Sequence, residues 1–145
     1  MPLLNYTTKV SADKTVAEVQ KLLAKAGARA VLSEYDEHGN VSSVCFKMLV
    51  NGREIGYRLP VEPDKVLDVL KSQRGVAPGY RNLDQARRIA WRIVKDWIEA
   101  QLAIIETHMV EPDQVFLPYA ITPSGGTLYG EVMSRGLLDA GRQND

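Results

Sequence analysis

The sequence predicts an α+β fold: a helix, a three-stranded antiparallel meander, a long helix, and short C-terminal helices packed on one sheet face. Three observations lead there. A T-x-x-E start at Thr15 opens a helical apolar stripe, Asn51-Gly52 joins two alternating runs, and an unbroken apolar stripe runs from residue 83 to 109.

Thr15 and Glu18 fit a capping box, in which each side chain satisfies a backbone N–H that the first helical turn leaves free. Val16, Val19, Leu22, Leu23 and Ala26 then share a face, and Gly27 stands where a left-handed residue closes a helix. "ARAVLSEY" (28–35) reads as a strand. After the turn "DEHGN", "VSSVCFKMLV" (41–50) alternates, and Asn51-Gly52 is a strong hairpin signal before "REIGYRLP" (53–60). Alternation puts Val44, Phe46, Met48 and Val50 on the face shared by Ile55, Tyr57 and Leu59. Ser43, Cys45, Lys47, Glu54 and Arg58 fall on the wet face.

"VEPDKV" at 61 and "VEPDQV" at 110 repeat one helix-start phrase, a first-turn proline followed by an aspartate that meets the helix dipole. "SQRGVAPGYR" (72–81) is the longest internal loop. Asn82 and Gln85 then cap a helix with no breaker before Pro112, about 27 residues or roughly 40 Å long. A domain of this size has a radius of gyration of about 15 Å, so the helix spans it or overhangs it. Its stripe (Ala86, Ala90, Ile93, Val94, Trp97, Ile98, Gln101, Ile104, Ile105) is widened by Trp91, Leu102 and Met109 beyond what one sheet face covers. That surplus predicts burial by the C-terminal segment, by a second subunit, or by both, and hence a homo-oligomer.

The bulk properties bound the class. The 145 residues suit one domain, taken as residues 1–138, with 139–145 a disordered tail. No apolar run reaches the roughly 18 residues of a membrane span, and the N-terminus is too short and polar for a secretory signal. The single Cys45 excludes an intramolecular disulfide and fits a reducing, cytoplasmic setting. Net charge is zero, yet Lys71, Arg74, Arg81, Arg87, Arg88, Arg92 and Lys95 cluster against one acid, Asp84. Such a band on a neutral chain suggests a local anion site. The alternative is neutralisation by the acidic stretch that follows it.

Two regions are candidates for binding. On the long helix, Arg87 sits one turn before Trp91, where a guanidinium can stack on the indole. With Arg88 and Arg92 this makes a basic-aromatic patch, although Lys95–Glu99 and Arg92–Asp96 are also ordinary i,i+4 pairs on a solvated face. In "FLPYAITPSGGTLYGEV" (116–132), Ser124, Gly125, Gly126 and Thr127 form a glycine-rich turn ahead of a short helix, which can present N–H groups to an anion. No Walker lysine follows, and a plain solvent loop also explains it. Tyr119 and Tyr129 flank the turn and can stack on a base or fill the core.

Catalytic readings are poor. His38 belongs to turn chemistry, and His108 suits a helix C-terminus. With Glu111 and Asp113, His108 makes only a loose metal cluster, which Pro112 disrupts. Cys45 has no nearby histidine. The expectation is no catalytic residue, no metal and no cofactor.

The strings "NGREIGYRLP", "ARRIAWRIVKDWIEAQLA", and "VFLPYAI" followed by "GGTLY" resemble small α+β proteins encoded by bacteriophages, prophages and related mobile elements. The resemblance extends to about Tyr129. It implies host cytoplasm and an accessory or anti-defence role, and it supplies no functional residue. The resulting expectation is a non-enzymatic binder that sequesters a small phosphate-bearing ligand, a nucleotide signal, through Arg87, Arg88, Trp91, Arg92, Tyr119 and the turn 124–127. One alternative is a single-stranded nucleic-acid binder using Lys47, Arg58 and the basic band, against which a pI of 6.7 weighs. Another is a protein inhibitor of a host factor.

Overall fold

The computed structural model describes residues 1–139 and 141, so the tail expected after Leu138 lies largely outside the described residues. Helix α1 (Ala12–Lys25) leads into strands β1 (Ala30–Tyr35), β2 (Val41–Val50) and β3 (Arg53–Arg58). Helices α2 (Pro63–Ser72) and α3 (Leu83–Glu106) follow, then the short α4 (Pro112–Phe116) and α5 (Leu128–Arg135). The strands form one antiparallel sheet in the order β1-β2-β3. The α+β expectation holds.

Local chemistry explains most boundaries. Asn51 and Gly52 both take positive φ, 49° and 80°, as the two-residue turn between β2 and β3 requires. Asn82 caps α3, its side chain accepting the Gln85 N–H at 2.9 Å. Thr127 caps α5 in the same way through the Gly130 N–H.

Two helix ends differ from expectation. Ser11, not Thr15, caps α1 by accepting the Lys14 N–H at 3.2 Å. Thr15 lies buried one turn in and donates its hydroxyl to Ser11 O, while Glu18 is used by a partner on α3. Helix α3 has 24 residues and stops at Glu106, because His108 turns left-handed at φ 63°. Histidine is not a breaker by propensity, so the local sequence offered no stop there.

The core lies on the expected sheet face. Val44, Phe46, Met48, Tyr57 and Leu59 meet Val16, Val19 and Leu23 of α1, Trp91, Val94 and Ile98 of α3, and Phe116 of α4. Phe46, Tyr57 and Phe116 form an aromatic knot with ring centroids 5.2–5.8 Å apart. A second cluster, Leu70, Val76, Ala86 and Ile89, is roofed by Leu3, Tyr6 and Tyr80.

The broad stripe of α3 is accounted for by this arrangement. The helix packs against α1 on one flank and α2 on the other, so its apolar surface meets three neighbours instead of one sheet. Trp91 is 1% exposed and Leu102 is half-buried, while Met109, past the end of α3, stands 69% exposed. The surplus that motivated a subunit contact along α3 is mostly covered within the chain.

Candidate functional site

The basic-aromatic patch is not assembled as expected. Trp91 is inside the core, so its indole offers no face to a ligand or to a stacked guanidinium. Arg87 pairs with Asp84 at 2.8 Å, and Arg88 Nη1 donates to Gln85 Oε1 at 3.1 Å. Arg92 Nη1 donates to Glu18 Oε2 at 2.7 Å and to Thr15 Oγ1 at 3.4 Å, turning away from the expected Asp96, which accepts from Asn5 instead. The Lys95–Glu99 pair forms. Arg87 also contributes positive field at Asp36, whose carboxyl is held below its ordinary value chiefly by the Asn40 N–H. Arg87 and Arg88 thus bond within the first turns of α3, and Arg92 ties α3 to α1.

The turn 124–127 lies elsewhere. Residues 120–128 fold into a small arm beside β3: Ile121 N–H donates to Gly56 O at 2.8 Å, and Ala120 bridges Tyr57. Thr122 and Gly126 close the turn by a 2.9 Å backbone bond, with Gly125 at φ 91° where only glycine is unstrained. Ser124 Oγ is 2.9 Å from Thr122 Oγ1. Ile121 covers the open-face side of Gly56, and Arg58 Nη2 donates to Gly125 O at 3.2 Å. Arg92, by contrast, is turned to α1, which lies over β1 and β2. The turn and the α3 arginines therefore do not converge on one anion.

What does converge is a cleft at the far end of β2 and β3, of about 490 Å³. It is lined by Ser42, Ser43 and Arg58, by the linker Pro60–Glu62, and by Pro118, Tyr119, Thr127 and Tyr129. Its residues come from three separate stretches of chain, the last of which, 118–129, includes the arm. Tyr119 is held edge-on to Trp97, with centroids 5.5 Å apart, and Tyr129 is 59% exposed at the rim. Arg58 is half-buried and has five N–H donors, one of which reaches Gly125 O. The Glu62 carboxylate at the mouth is offset by Lys65 at 3.0 Å.

Family models, curated proteins and solved structures give no match to the chain. The site is therefore read from its own chemistry. Of the expected ligand residues, Tyr119 and Thr127 line the cleft, and Ser124, Gly125 and Gly126 belong to the turn braced against Arg58. Arg58 itself, Ser42 and Ser43 were not among them. Alternation had placed Arg58 on the wet sheet face, as a contact of the nucleic-acid alternative, but no local signal joins it to the turn, because Gly125 is 67 positions away.

A second cavity of about 500 Å³ lies between α1 and α3. Leu22, Met48, Leu102 and Ile105 are in its wall, with Lys25, Glu99 and Glu106. Two carboxylates against one ammonium make it unsuited to an anion. Near the core, Tyr57 Oη is buried without a hydrogen-bond partner, and burial followed by the Asp113 charge pushes its hydroxyl above its ordinary pKa. Among the described residues no helix is long and apolar enough to cross a membrane.

Proposed function

We propose that the chain is a non-catalytic binder of a small phosphate-bearing ligand, a nucleotide in the first instance, held in the cleft between the β2–β3 end and the C-terminal arm. One observation carries this reading: a guanidinium, Arg58, and two tyrosine rings, Tyr119 and Tyr129, share a cleft of about 490 Å³. That volume is within the roughly 300–1,000 Å³ typical of small-ligand sites. Arginine presents a fork of donors matched to phosphate oxygens, and tyrosine offers a flat face for a base. The serine hydroxyls of Ser42 and Ser43 and the hydroxyl of Thr127 add hydrogen-bonding capacity.

The lining contains no histidine, cysteine, lysine or aspartate. Its one carboxylate, Glu62, is paired with Lys65, and the hydroxyls of Ser42, Ser43 and Thr127 have no histidine or lysine base beside them in the lining, which favours holding a ligand over transforming it. Sequestration of a nucleotide signal, as an accessory protein of a mobile element would perform, is the role this reading suggests. The open sheet face supports the nucleic-acid alternative less well, since Lys47 and Arg58 stand there among Glu34 and Glu54.

The test is direct. Nuclease-treated protein is denatured and its supernatant examined by mass spectrometry. The folded protein is then titrated calorimetrically with mono- and dinucleotides, inorganic phosphate and oligo-dT. Saturable one-to-one nucleotide binding that Arg58→Ala weakens about tenfold or more is the expected result. Binding to oligo-dT alone, or to nothing offered, sinks the proposal.

A further inference from the structure

Strand β1 is an edge. Among the described residues it pairs only with β2, and its other side leaves backbone N–H and C=O groups without a neighbouring strand. Natural edges are usually blunted by lysine, proline, a bulge or a covering element. Residues 30–33, Ala-Val-Leu-Ser, carry neither lysine nor proline, and the register shift comes only at Glu34/Tyr35. Leu32, on the open face opposite Cys45, is 60% exposed.

The flanks of β1 differ in charge. Arg29 precedes it, exposed and in none of the ion pairs among the described residues. Glu34, Asp36 and Glu37 end it. A second copy laid antiparallel brings each cationic start near the other copy's acidic end, within reach of its field though not in a direct cross-strand pair, whereas a parallel in-register copy opposes like charges. Directly opposed residues must share a face, so the two-fold axis must fall on a residue. Centring it on Leu32 buries that side chain against its own copy and pairs residues 30–34, ahead of the register shift at Glu34/Tyr35. Helix α1 flanks β1 on the buried face of the sheet. Gln20 reaches Ser33 from it, and the neighbouring exposed residues at helical spacing, Ala17 and Ala24, are small and uncharged.

We propose that two copies of this chain pair antiparallel through β1, with Leu32 at the two-fold axis, to form one continuous six-stranded sheet. This interface lies away from the long helix, and it does not depend on the ligand reading.

Sedimentation analysis over a concentration series reads the assembly, with circular dichroism reporting the fold. The parent is expected to sediment as a dimer. Leu32→Lys, a change at an exposed position, should weaken association about tenfold or more with an unaltered spectrum. Opposed residues of an antiparallel pair have Cα atoms about 4.5–5.5 Å apart, within disulfide reach. In a Cys45→Ser background, needed because Cys45 faces Leu32 in the same chain, Leu32→Cys should therefore cross-link two chains on mild oxidation. Leu49→Cys, also exposed on that face, should not. A monomeric parent overturns the proposal. So does a folded Leu32→Lys variant that stays fully dimeric, or cross-linking through Leu49→Cys as efficient as through Leu32→Cys.

Discussion

Arg92 and Glu18, 74 positions apart, meet at 2.7 Å between α3 and α1, with side chains 18% and 35% exposed. The contact ties two helices that cover the same sheet, and it employs one of the three arginines expected to hold an anion. A partly solvated pair of this kind couples by about 1 kcal/mol. Arg92→Ala and Glu18→Gln should each lower stability, and the double variant should cost less than their sum. A double-mutant cycle in urea checks this; strict additivity would show that the pair contributes nothing. Nucleotide titrations of Arg92→Ala should match the parent.

Arg58 should behave in the opposite way. Its side chain is half-buried at a strand end, so Arg58→Ala should shift the melting temperature little. Losing a charge-assisted bond of roughly 1.5–3 kcal/mol should weaken ligand binding about tenfold or more. Arg58→Lys keeps the charge without the planar fork and should recover only part of it. Tyr119→Phe should retain binding where Tyr119→Ala loses it, if the ring face is what matters. Equal affinity across all four variants and the parent would remove the cleft from consideration.

Trp91 is a packing residue. It is 1% exposed in the main core, and Trp91→Ala should cost about 3–5 kcal/mol, a loss of the size expected for an aromatic deleted from a core. Chemical denaturation measures it. A change below 1 kcal/mol, on the order of an ordinary surface substitution, would contradict the burial.

Tyr57 places a hydroxyl in the core without a partner. Removing that oxygen takes away a desolvated polar group that gains nothing in return. Tyr57→Phe should therefore be at least as stable as the parent at neutral pH. Burial raises the pKa of the folded protein above the unfolded value of about 10. The contribution is thus fully present below about pH 10 and is lost as pH rises through the higher folded pKa. Melting temperatures measured from pH 8 upward should fall more steeply for the parent than for Tyr57→Phe, and parallel curves would rule the effect out.

The sequence by itself determined the elements whose causes are local. Period-two alternation in β2, positive-φ residues at 51–52, and proline at the starts of α2 and α4 act within a few residues, so they could be read without a partner. Asn82 and Thr127 capped as their positions required. The open and buried faces of the sheet followed from alternation alone. The T-x-x-E pattern at Thr15 pointed to the wrong start: Ser11, four residues earlier, caps α1, and Glu18 is engaged by Arg92 of α3 instead of by a backbone N–H. The tertiary structure decided which side of α3 was wet. A helix flanked by both α1 and α2 buries a wider arc than one lying on a sheet, so Trp91 moved from margin to core and Arg92 became a tie to α1. It also brought the arm of residues 120–128 to the edge of β3, joining Arg58 to Gly125 and Tyr119 to the cleft. Those contacts link residues more than 60 positions apart, and the energy that selects them comes from packing surfaces that exist only after the chain has folded.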